Sequence, residues 1–209
     1  KLMGIFAATL ILGSATFAMA GVPDLQLSLA TGPADACVLY NLPNADGGSF
    51  DEAIAVVGFA VTDATVGLTL IDGLTNPIPN YPFEDLHLES SDGGLVACAG
   101  GTTADADTDA AGYTQWQAPL AAGGATSSVA DLTVVMVNGA ALTSSGGEAI
   151  AHNSADITAD GKVDLSDVIE FAGDFYSGGY VFRSDFAFDG ILNLSDIIVL
   201  AQGMGAECP

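Results

Sequence analysis

The chain has 209 residues, half of them hydrophobic, and sets 26 acidic side chains against three basic ones, Lys1, Lys162 and Arg183. That length allows one large domain or two small ones, with ample apolar material for a core. The charge balance excludes nucleic acid and anionic lipid headgroups as partners, because binding phosphate needs Lys and Arg to replace released counterions. Dense carboxylate suits divalent cations, calcium first, or an extracellular surface kept soluble by acidic side chains.

Residues 1–20, "KLMGIFAATLILGSATFAMA", combine a basic start, an apolar run from Met3 to Leu12 and a small-x-small ending at Ala18-Met19-Ala20. This reads as a secretory signal peptide cleaved before Gly21. A retained anchor is the alternative, but the apolar part falls short of the roughly 20 residues a spanning helix needs. The expectation is a secreted, extracellular or cell-surface protein with no stable membrane insertion. Cleavage leaves Lys162 and Arg183 as the only basic side chains and a net charge of 2 − 26 = −24.

Residues 21–152 read as a β-rich domain. Short stretches with period-two alternation or β-branched enrichment, "LQLSLA", "CVLYNL", "ATVGLTLID", "DLHLES", "YTQWQA" and "DLTVVMVNG", are separated by turn chemistry such as "PNADGG", "DGLTNPIPN", "SSDGG" and "AAGG". Short strands with this punctuation and no long amphipathic helix predict an antiparallel sandwich. Pro77, Pro79 and Pro82 fit an exposed loop or an edge. Export makes a disulfide plausible. Cys37 and Cys98 lie in strand-like stretches, "ACVLYNL" and "GLVACAGG", and are the expected pair, leaving Cys208 free; the alternative is three buried thiols.

Nothing in this part singles out catalysis. His87 is a lone histidine in an alternating strand, where packing or surface roles are commoner than general-base chemistry. Carboxylates such as Glu84, Asp85, Asp105, Asp107 and Asp109 are so abundant that any chosen pair loses meaning. The "DADTD" run reads as a solvated acidic turn rather than a cation site. Tyr81, Tyr113 and Trp116 form either a sugar-stacking platform or, for Trp116, part of the core; core is the preferred assignment. The stretches "VGLTLIDGLTNPIPNYPFEDLHLESSDGGLV" and "GGTTADADTDAAGYTQWQAPLAAGG" resemble bacterial Ig-like domains of the invasin and intimin kind. The resemblance implies a structural or adhesive module without an active site.

Residues 153–209 carry the most specific signal. "DITADGKVDLSD", Asp156 to Asp167, is followed by "DFAFDGILNLSD", Asp185 to Asp196. Calcium takes 6 to 8 oxygens, and a 12-residue loop supplies them from positions 1, 3, 5, 7 and 12, with 9 often acting through water. The first loop offers Asp156, Thr158, Asp160, the Lys162 carbonyl, Asp164 and Asp167. The second offers Asp185, Asp189, the Ile191 carbonyl, Asn193 and Asp196, while Ala187 at position 3 has no side-chain oxygen. Glycine at position 6, Gly161 and Gly190, permits the sharp turn. Each loop precedes an apolar helix-like run, "VIEFAGDFY" and "IIVLAQGMG", so a duplicated unit holding two calcium ions is expected.

From about Asn153 to Cys208 the chain resembles a type I dockerin, with aspartate rather than glutamate at position 12 and "GGEAIAHNSA" as poor helix material before the first loop. The resemblance implies calcium-dependent docking onto a cohesin-like domain. It also implies that positions 10 and 11, Leu165 with Ser166 and Leu194 with Ser195, help to choose the partner. The plainer alternative packs the leucines into a small core and uses the serines as helix caps. The reading is thus a mostly β, non-catalytic protein, an antiparallel Ig-like β-sandwich followed by a small helical dockerin-like domain. Its partner is a cohesin-like domain or another copy of the chain. The competing class is a small carbohydrate-binding or carbohydrate-active module delivered to a cohesin-bearing complex.

Overall fold

A computed structural model describes residues 21–209; the expected signal peptide, 1–20, lies outside the described residues. The protein is mostly β. Among the described residues twelve strands run in chain order through β1 (Leu29–Thr31), β2 (Cys37–Asn41), β3 (Ala53–Ala55), β4 (Val61–Thr62), β5 (Val66–Thr69) and β6 (Leu86–Ser90). They continue with β7 (Leu95–Ala97), β8 (Tyr113–Trp116), β9 (Ala122–Gly124), β10 (Thr133–Val137), β11 (Ala140–Ala141) and β12 (Ile150–Ser154). Two α-helices follow within the described residues, α1 (Leu165–Tyr176) and α2 (Leu194–Gly203). Among the described residues no helix is long and apolar enough to cross a membrane.

The strands form four small sheets, ordered β1-β5-β8, β11-β10-β6, β12-β2-β3-β4 and β7-β9. Each of the six stretches expected to be strands contains one, although in "LQLSLA" the Asp24 carboxylate accepts from the Gln26 and Leu27 N–H groups and turns the chain, so that only its end enters β1. One core joins all four sheets, with Leu39, Leu68, Leu86, Trp116, Val135, Ile150, Leu95 and Ala122 in a single cluster. Trp116 is fully buried and its indole N–H donates to the Thr102 carbonyl at 3.0 Å, which satisfies the one polar atom of a large apolar side chain. The core assignment of Trp116 therefore holds. The acidic run is a turn-builder: Asp105 accepts from the Gln117 N–H, Asp107 from Phe83 and Asp109 from Ala111 and Tyr113.

One pairing departs from the antiparallel expectation. β12 lies parallel to β2, with Ile150 opposite Cys37 and Ser154 opposite Asn41. More than a hundred residues separate the two strands, ample for the crossover that a parallel pair requires. The boundary expected between residues 152 and 153 falls inside this strand. His152 is sealed within it. Asn41 Nδ2 lies 3.1 Å from Nδ1 and Thr133 Oγ1 lies 2.7 Å from Nε2, while that hydroxyl donates to the Ile150 carbonyl at 2.8 Å. This chain of donors puts the imidazole proton on Nε2 and leaves Nδ1 as acceptor. Burial holds the His152 pKa down to about 4, so the ring is a neutral strut at pH 7.

The disulfide is a correction. Cys98 bonds Cys208, with Cα atoms 5.5 Å apart, and Cys37 remains a buried thiol. Cys37 starts β2 with its side chain in the central core and its sulfur toward the Ala149 carbonyl. Cys98, just past β7, faces the C-terminal tail instead. Burial pushes the Cys37 thiol up to about 11, as expected of an unreactive core thiol.

Candidate metal centre

The two loops fold alike. In the first, Asp156 at position 1 accepts from the N–H of Asp160 (3.1 Å) and of Gly161 (2.9 Å); in the second, Asp185 accepts from Asp189 (3.2 Å) and Gly190 (3.0 Å). At position 12, Asp167 accepts from the N–H of Thr158 (2.9 Å) and of Asp164 (2.8 Å), and Asp196 from Ala187 (3.0 Å) and Asn193 (2.8 Å). Both loops place a non-glycine residue in the left-handed region at position 4, Ala159 at φ 57° and Phe188 at φ 52°, followed by Gly161 and Gly190 at φ 85° and 80°. Such backbone conformations are costly for residues with a Cβ and persist only where the surrounding bonds enforce them.

Position 9 of each loop is also a helix N-cap. Asp164 accepts from the Ser166 N–H at 2.7 Å and Asn193 from the Ser195 N–H at 2.6 Å, each forming a capping box with the position-12 aspartate. The plainer alternative for positions 10 and 11 is thereby corrected. The caps are Asp164 and Asn193, not the serines, and Leu165 and Leu194 are each 67% exposed instead of packing inward.

Four aspartates, Asp156, Asp167, Asp185 and Asp196, are buried at the heads of the loops. Neither basic side chain of the described residues reaches them. Arg183 binds Asp174 through Nε at 2.7 Å and Glu170 through a terminal nitrogen at 2.9 Å, and Lys162 lies 3.7 Å from Glu207. Burial, reinforced by the neighbouring Asp167 and Asp160 charges, lifts Asp156 to about 6 against the pull of the Gly161 N–H. Burial also raises Asp185, opposed by the Tyr180 hydroxyl, which donates to it at 3.0 Å.

Among the described residues no three His, Cys, Asp or Glu side chains cluster closely enough to hold a metal by themselves. The loop carboxylates are turned onto backbone N–H groups, and Asp160 and Asp189 accept from Lys162 and Ile191 at 3.1 and 3.0 Å. The donor chemistry nevertheless fits calcium: every side-chain candidate is a hard oxygen, the carbonyl of position 7 adds another, and the buried carboxylates lack a counter-cation. Bound there, calcium would supply that missing positive charge.

Three contributors escape sequence reasoning. Asn153 in β12 donates through Nδ2 to the carbonyls of Phe182 (2.8 Å) and Asp185 (3.0 Å), which fixes the entry to the second loop. Tyr180 reaches Asp185 from outside the loop pattern. The Gly124 N–H donates to the Asp156 carbonyl at 2.8 Å and ties the first loop to β9. None sits at a loop position, so no spacing rule marks them. A comparison with protein-family models and with curated protein sequences finds no match.

Proposed function

We propose that the protein is a secreted, non-catalytic attachment protein with an Ig-like β-sandwich. In this reading its dockerin-like C-terminal part binds two calcium ions and docks onto a cohesin-like domain or another copy of the chain. Asp156, Thr158, Asp160, Asp164 and Asp167 with the Lys162 carbonyl hold the first ion; Asp185, Asp189, Asn193 and Asp196 with the Ile191 carbonyl hold the second. The observation that carries this is the set of buried aspartates at both loop heads, held by backbone N–H groups but beyond the reach of Arg183 and Lys162, because a buried carboxylate without a neighbouring positive charge costs several kcal/mol. Calcium makes that burial favourable and so orders the helices that begin at position 10.

The docking surface is the outer face of those helices. Leu165 (67%), Ile169 (64%) and Tyr176 (84%) stand exposed along α1, and Leu194 (67%), Ile197 (40%) and Ile198 (51%) along α2. Their spacing of three, four and seven places them on one side of each helix. The opposite side is already used, since Phe171 and Leu200 pack with Leu42 and Phe186. A helix apolar on both sides has one face for its own core and one for a partner. The carbohydrate-binding alternative loses its strongest aromatic, because Trp116 lies inside the core.

The test places a charge in each half of that face. With a partner captured in the presence of calcium, Ser166→Asp alone should leave docking largely intact through the other half. Ser166→Asp with Ser195→Asp should abolish it, since burying an unpaired charge at an interface costs several kcal/mol. Calcium stoichiometry and circular dichroism must stay those of the parent. Full affinity in the double variant would exclude this face.

A further inference from the structure

The C-terminal tail makes the two loops unequal. It runs antiparallel beside the turn of the first loop, where the Val163 N–H donates to the Ala206 carbonyl (2.8 Å), the Gly205 N–H to Val163 (2.9 Å) and the Cys208 N–H to Gly161 (2.9 Å). The tail is in turn bonded to the β domain through Cys98–Cys208. A Cβ placed on Gly161 would stand 3.0 Å from the Cys208 sulfur, whereas one on Gly190 would meet nothing within 4 Å. Among the described residues the N–H of Leu192, equivalent to Val163, has no backbone partner.

The peptide plane between Lys162 and Val163 is the point of leverage. In a trans peptide the N–H and C=O point in opposite directions. Holding the Val163 N–H onto the tail therefore aims the Lys162 carbonyl, position 7 of the loop, away from the tail. The remaining backbone of the turn is pinned on either side by Cys208 and Gly205. A ligand whose direction is fixed before the ion arrives loses less freedom on binding.

Resting on the calcium reading above, we propose that the Cys98–Cys208 bond is an affinity determinant of the first loop: it clasps the tail to the turn and so preorganises the Lys162 carbonyl. The second loop binds without such a strap. Removing the bond weakens the first site and spares the second.

The experiment is calcium titration calorimetry on the full oxidised chain. Asp196→Asn reports the first loop alone and Asp167→Asn the second, each with and without Cys98→Ser plus Cys208→Ser. Loss of the bond should weaken first-loop binding about tenfold, the scale on which supporting interactions around a metal act, and change the second by less than about twofold. Unchanged first-loop affinity, or an equal loss at both loops, would overturn the proposal. Near-ultraviolet circular dichroism of the buried Trp116 verifies that each variant is folded. Titrating the wild-type chain under a dithiol reductant repeats the comparison without new side chains and keeps it decisive if the double serine variant does not fold. If neither Asp167→Asn nor Asp196→Asn alters calcium binding by the oxidised chain, the calcium reading itself fails, an outcome distinct from loss of coupling.

Discussion

The loops at 156–167 and 185–196 share Asp, Asp, Gly, Leu, Ser and Asp at positions 1, 5, 6, 10, 11 and 12. Those positions suffice to specify nearly the same hydrogen-bond pattern twice. What differs is how each loop is held. The first carries Thr158 and Asp164 where the second has Ala187 and Asn193, so it has four carboxylates against three, and it is strapped by the tail. The second is held from within the fold: Phe188 at position 4 is buried with Val38, Ala151 and Phe182, Tyr180 bonds Asp185, and Asn153 fixes its entry. A shared motif thus sets the loop's backbone, and its surroundings set how firmly that backbone is kept.

The largest effect expected of the proposed calcium sites is that of withdrawing the metal. At free calcium a hundred times each dissociation constant, binding adds about 2.7 kcal/mol per site, hence roughly 5 kcal/mol for two. For a chain of this size each kcal/mol moves the melting temperature by about 2–4 °C, so a chelator should lower it by roughly 10–20 °C in scanning calorimetry. Repeating the scan with Asp167→Asn and with Asp196→Asn divides the shift between the loops. Identical melting with and without chelator would remove calcium from the account of stability.

A smaller effect separates the supports. Phe188→Ala empties a buried site while keeping the left-handed backbone, and should cost about 3 kcal/mol in denaturant unfolding. The equivalent residue of the first loop, Ala159, is only partly buried and has no such packing to lose. A change of under about 1 kcal/mol for Phe188→Ala would mean that the second loop does not lean on the β domain.

Much of this was legible in sequence where a residue type answers a local demand. Aspartate at positions 1 and 12, glycine at 6 and a helix starting at 10 follow from turn and capping chemistry, and the six expected strands come from alternation and β-branched content. What was missed depends on long-range packing. β12 reads as "IAHNS", polar and featureless, because His152, Asn153 and Ser154 are buried through partners far along the chain such as Thr133 and Phe182. β3, β4, β9 and β11 are only two or three residues long, too short for a period to register. The disulfide went astray for the same reason: strand-like surroundings describe Cys37 well but carry no trace of a tail that folds back along residues 161–163.

The finest comparison lies at position 9. Asn193 caps α2 through Oδ1 and donates from Nδ2 to the Asp189 carboxylate at 2.9 Å, whereas Asp164 caps α1 with a carboxylate. Asn193→Asp makes the loops alike in their number of carboxylates. The helix cap survives, since aspartate and asparagine cap equally well. The amide donor is lost, however, and a second carboxylate is set against Asp189 at hydrogen-bond distance. Without metal the variant should therefore be less stable by about 1 kcal/mol, the worth of one such bond with added like-charge repulsion. With calcium the same carboxylate strengthens the ligand set, because charge count is one of the means by which such loops tune affinity, and binding at the second loop should tighten by about tenfold. The two signs are the test. Chelator-treated and calcium-loaded samples are compared by denaturant unfolding. No shift in either sample would show that Asn193 acts only as a helix cap; a loss of stability in both would show that the added carboxylate does not strengthen the ligand set, and that the second loop differs from the first in its supports rather than in its ligands.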